Sequence, residues 1–112
     1  MEVGMNIKES DWKIFCEIKS EAAQRFCTRQ LDEAIKTITD ESEPVGERFN
    51  FMCQHSKESQ KQMKFIFDGH SRSCAFIQLM QMCAEGLVAP EQFERLSEDL
   101  KKDITSILER RT

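Results

Sequence analysis

CAFIQLMQMCAEGLV, from Cys74 to Val88, is the most apolar run in an otherwise polar chain, and its reading decides the fold. Before Gly86 only Gln78, Gln81 and Glu85 interrupt it, at spacings of three and then four that gather them on one narrow stripe of a helix. Every other side of that helix is apolar and needs cover. Phe76, Ile77, Leu79, Met80, Met82 and Cys83 are therefore the expected core positions, with Gln81 turned outward.

The flanking sequence supplies the cover. From Ser10 or Asp11, read as N-cap residues, an apolar stripe runs through Cys16, Ala23, Cys27, Leu31, Ala34 and Ile38, with Phe15, Ile18, Ala22, Phe26 and Ile35 beside it. No Gly or Pro interrupts it before about Asp40, so the first helix is expected to be about 45 Å long. That exceeds what the later helices can cover, and the overhang is expected at its beginning. Pro44 reads as the first residue of a second helix whose seam is Val45, Phe49, Met52, Ser56, Ser59, Met63 and Ile66.

Asp68 to Ser71 break the chain, and the central helix then runs from about Arg72 to Glu85, where Gly86 stops it. Pro90 opens a last helix carrying Phe93, Leu96, Leu100, Ile104, Ile107 and Leu108 on one face, read as a single continuous element. Short connections between long helices favour antiparallel neighbours. The expected fold is all-α: one domain over residues 10–112, an antiparallel four-helix bundle, up-down-up-down, with a long first helix and a flexible tail at residues 1–9.

Composition narrows the class. A chain of 112 residues holds one core, and 39% hydrophobic against 32% charged residues with four Gly and two Pro fits a helical globule. A net charge of −4 argues against a nucleic-acid binder, which normally presents a basic face. No window approaches the roughly 20 apolar residues that span a bilayer, and the start has no signal-like apolar core, so no membrane partner and a cytoplasmic location are expected. Five cysteines, an odd number without a CxxC pair, read as reduced thiols.

Chemistry is sparse. Cys53 and His55 are two apart and so point in different directions on a helix, His70 stands alone at a turn, and no Glu-x-x-His occurs, so neither metal nor other cofactor is expected. A Cys–His dyad could be assembled only from Cys53 or Cys74 with His55 or His70, and the apolar setting of Cys74 favours a core role. The chain reads as a binding protein rather than an enzyme. Two surfaces are candidates. In DGHSRS, residues 68–73, His70, Ser71, Arg72 and Ser73 gather where a helix N-terminus attracts a small anion; the plainer reading is capping, with Asp68 paired to Arg72. Met5, Trp12 and Phe15 at the overhanging end form an apolar patch suited to a protein partner or self-association, unless they fold back onto the bundle. The polar middle of the second helix, with Gln54, His55, Glu58 and Gln62, could line a groove.

DWKIFCEIKSEAAQRFC (11–27), ERFNF (47–51), FDGHSRSCA (67–75) and GLVAPEQFERLS (86–97) together resemble small uncharacterised bacterial all-helical proteins. The resemblance implies a compact bacterial cytosolic protein and no particular chemistry. The functional expectation is protein–protein interaction, as a regulator, a toxin-neutralising partner or a homodimer. The alternative is a small-anion or nucleotide binder using the turn before the third helix.

Overall fold

Thirty residues without Gly or Pro make the longest element, and two glycines with positive φ set the ends of shorter ones. The computed structural model describes residues 7–111. They form α1 (Glu9–Ile38), α2 (Val45–Phe67), α3 (Arg72–Ala84), α4 (Pro90–Glu94) and α5 (Glu98–Arg111), with no strand among the described residues. No helix among them is long and apolar enough to cross a membrane. Met5 and most of the expected tail lie outside the described residues, and α1 already begins at Glu9.

α1 and α2 form a hairpin whose tip is closed by polar groups. Asp40 Oδ1 accepts from the Ser42 backbone N (3.0 Å) and from its hydroxyl (2.6 Å), and Arg48 donates to the carbonyls of Ile38 (2.8 Å) and Glu43 (3.2 Å). The two serine bonds hold the exposed Asp40 carboxyl below its ordinary range. Pro44 occupies the N-cap position, one residue before the first-turn place expected for it.

α3 stops as its sequence predicts. Gly86 sits at φ +70°, its N–H bonds to Cys83 O (3.0 Å), and the Leu87 N–H bonds to Met82 O (2.9 Å) while the Leu87 side chain is fully buried. The remaining carbonyls of this helix end face α1. Arg29 takes those of Glu85 (2.9 Å) and Gly86 (3.2 Å), and Arg25 takes that of Leu87 (2.9 Å). Two guanidinium groups thus lock the negative end of α3 onto α1.

The core joins Phe15, Ile18, Ala22 and Phe26 of α1, Ile66 of α2, Ala75, Leu79 and Met82 of α3, Leu87 and Leu96 of the connections, and Leu100 and Ile104 of α5. In α1 no residue beyond Phe26 is buried, and in α2 only Ile66 is. The far half of the hairpin is therefore two helices thick, and the molecule is elongated, 54 × 27 × 26 Å.

Four sequence expectations change. The last helix is two helices, broken at Arg95–Ser97, because Ser97 caps α5 through Leu100 N (3.4 Å) and is itself held by Asp11. Asp11, read as a cap of its own helix, is 2% exposed and serves α5 instead. On α3 the polar stripe is not an outer face: Gln78 is buried, donating to the carbonyls of Asp68 (2.7 Å) and Gly69 (2.9 Å), while Ile77 is 50% exposed and Met80 is half-buried. Finally, the overhang is at the other end of α1. Phe15 is fully buried, whereas Leu31 and Ile35 are exposed, because α3 to α5 settle on the N-terminal half.

Candidate functional site

The turn between α2 and α3 folds back over the first half of α1, and it joins the two candidate groups that the sequence kept apart. Gly69 makes the reversal at φ +84°. The His70 ring then lies against Trp12 (ring centroids 5.0 Å) and Phe15 (6.3 Å), and the Arg72 guanidinium sits over the Trp12 ring at 5.1 Å. Arg72 is also bound to the Glu9 carboxylate; the hydrogen bond and charge hold Glu9 below its usual pKa range and Arg72 above its own.

Beneath this turn Lys19 donates to the Gly69 carbonyl (2.6 Å) and lies 3.2 Å from His70 Nδ1, while His70 Nε2 lies 3.8 Å from Cys16 Sγ. Burial lowers the Lys19 pKa, partly opposed by the negative charge that Cys74, Cys16 and Asp68 can carry nearby. The Ser71 hydroxyl meets that of Ser73 (3.1 Å) and the Cys74 sulfur (3.3 Å), and no side chain caps α3. His70, Ser71, Arg72 and Ser73 are thus adjacent and exposed, but Arg72 already holds a carboxylate and Lys19 a carbonyl. The histidine's thiol neighbour is Cys16, not the Cys53 or Cys74 of the sequence reading. Its signal was present: Trp12, Cys16 and Lys19 follow one another at four and three, one face of α1.

A second polar region lies midway along the hairpin. His55, Glu58, Ser59 and Gln62 line a cavity of about 300 Å³ with Arg29 and Glu85. The groove expected on the second helix is there in part, since Gln54 lies off it. Within it the His55 Nε2 donates to the Gln30 carbonyl (3.0 Å) and the Ser59 hydroxyl to Gln30 Oε1 (3.2 Å), so these groups tie α2 to α1. No three His, Cys, Asp or Glu side chains among the described residues are placed to hold a metal ion.

The third surface is the outer face of the hairpin, on the side away from α3. In α1 the core row Phe15, Ile18, Ala22 and Phe26 faces α3 to α5, and Leu31 and Ile35 lie across the helix from it. In α2, His55 and Ser59 point to α1, Glu58 and Gln62 line a cavity with Glu85 at the C-cap of α3, and Val45, Phe49 and Met52 lie on the opposite flank. The exposures of these five apolar residues run from 39% at Met52 to 75% at Val45. Around them the same face carries Ser20 and Cys27 from α1 and Cys53 and Ser56 from α2, all exposed and uncharged, while at its edges Gln24 and Thr28 share a groove with Glu21, Arg25 and Asp32, and Gln60 shares one with Lys57, Lys61 and Lys64. Periodicity alone marked these apolar positions as core, and only the short reach of α3 to α5 shows them bare.

Compared with protein-family models, curated proteins and solved structures, the chain matches none.

Proposed function

We propose that this chain acts through protein–protein contact in a bacterial cytosol, pairing with a second copy of itself through the outer face of the α1–α2 hairpin. The observation that carries the reading is the bare row of Leu31, Ile35, Val45, Phe49 and Met52 on a chain in which 32% of residues are charged. A second copy is the partner favoured by both charge and size. A two-fold contact sets each face against its own image, and an apolar row with charges only at its edges sets no like charges together at its centre. From the level of Ser20 to that of Val45 the face is about 30 Å long and about 20 Å wide, roughly 600 Å², close to the 600–1,000 Å² that each partner of a stable complex buries.

The apolar seam is also of the right kind. Val45, Phe49 and Met52 follow at four and three, as do Leu31, Ile35 and the half-buried Ile38, which is how one helix presents knobs to another. Two hairpins facing each other would make an antiparallel four-helix layer, the packing expected of the sequence within one chain. Amide hydrogen exchange at increasing protein concentration tests the reading. Protection should rise with concentration at residues 20–38 and 45–60 and stay constant at residues 72–84 and 98–111. Concentration-independent exchange throughout would remove it.

A further inference from the structure

We infer that Cys16 is the chain's modification site, a reactive thiol whose thiolate is held by a Lys19–His70 relay and which takes up a low-molecular-weight disulfide by thiol–disulfide exchange. Protonated Lys19 has donors only, so its 3.2 Å contact with His70 Nδ1 makes that nitrogen the acceptor. The neutral imidazole then carries its hydrogen on Nε2, 3.8 Å from Cys16 Sγ, and presents a donor to the sulfur. The ring is fixed in that pose by Trp12 and Phe15, and the lysine by the Gly69 carbonyl. The charged or titratable groups around the thiol are Lys19 on its own helix, Asp68 and His70 on the turn, and Cys74 and Arg72 on α3, with Arg72 bound to Glu9. Cys16 is half-buried, so a small reagent reaches it.

The reaction needs nothing beyond the disulfide. Cys16 loses its proton to solvent, the thiolate attacks one sulfur of R–S–S–R, the S–S bond breaks, and the departing RS⁻ takes a proton from solvent. Cys27 and Cys53 provide the contrast, being exposed but without a cation or donor bound to their sulfur in any described contact.

The test is the rate of mixed-disulfide formation with glutathione disulfide, read at each cysteine by peptide mass at about 0.05 µM protein, well under the concentration where a micromolar dimer forms. It is repeated in a Phe49→Glu background, where Cys27 and Cys53 cannot be hidden by pairing of the hairpins. Cys16 should react roughly tenfold faster than Cys27 or Cys53 in both. H70A and, separately, K19M should bring it down to their rate while leaving Cys27 and Cys53 unchanged and the half-buried Cys83 thiol slow, the last serving as the measure of intact folding. An order that follows exposure, with Cys27 or Cys53 first, overturns the assignment, as does a Cys16 rate unaffected by both variants. Since pairing of hairpins is removed by Phe49→Glu, failure here and failure of the self-association reading are separate results.

Discussion

Asp11 and Ser97 stand 86 residues apart in the chain and share two hydrogen bonds, the Asp11 carboxylate accepting the Ser97 backbone N–H at 2.8 Å and its hydroxyl at 2.6 Å. In a local capping box the N-cap N–H is taken by a carboxylate three residues on; here the first turn of α1 supplies it, so the start of α5 is fixed by the start of the chain. Asp11→Ala leaves a buried donor unpaired and should cost about 3 kcal/mol, with Asp11→Asn, which keeps one acceptor, costing about half as much. Urea midpoints at unchanged slope give the comparison. Equal midpoints for Asp11→Ala and the native chain would detach α5 from this anchor.

Leu79 and Ile77, two residues apart on α3, are expected to respond very differently to truncation. Leu79→Ala removes a fully buried side chain and should cost about 2–5 kcal/mol, while Ile77→Ala, at a half-exposed position, should cost under about 1 kcal/mol. Thermal or urea unfolding of the pair settles which way α3 faces. The reverse order would put the core on the wrong side of the helix.

The helices were legible in the sequence because their ends are chemical. Gly86, Pro90 and the polar run 40–43 stop or start the chain by φ and by missing donors, and each acts in the structure within a residue or two of its reading. What escaped was set at long range. Nothing near Ser97 reveals that its N–H partner is Asp11. Gln78 reads as polar and outward until the carbonyls of Asp68 and Gly69, freed by the turn, draw it inside. The uncovered part of α1 depends on where α3 docks, and that is decided by Arg25 and Arg29 reaching its last carbonyls. Of the candidate site, the turn 70–73 and Trp12 were both visible, but their juxtaposition was not.

Gly86→Ala tests the end of α3 by conformation alone. A Cβ there would meet only an Arg29 nitrogen at 4.0 Å, an ordinary contact, so space is not the obstacle. At φ +70° an L-residue is strained, and the variant should lose about 1–2 kcal/mol. Gly46→Ala, in the open first turn of α2, should be neutral or slightly stabilising when melted alongside it.

Burial pushes the Cys83 thiol up from its ordinary 9.0 to about 11. The neutral thiol is thus favoured by folding: its contribution is full below pH 9, where both states hold the proton, and is lost as pH rises toward 11 because the unfolded chain ionises first. Cys83→Ala should flatten the decline in melting temperature across that window. A decline of unchanged steepness in the variant would place its origin elsewhere.

Phe49 is 61% exposed in the bare apolar row of the hairpin, one helical turn from its Val45 end. Sedimentation equilibrium from about 1 to 100 µM should show the native chain rising from its 13.1 kDa monomer mass toward twice that value, since apolar burial of this extent supports dimers in the micromolar range. Phe49→Glu, which would bury an unpaired carboxylate in that contact, should remain at 13.1 kDa with an unchanged melting temperature. A native chain that stays monomeric over the whole range, or a Phe49→Glu chain that assembles as the native one does, would contradict the claim that this face exists to pair.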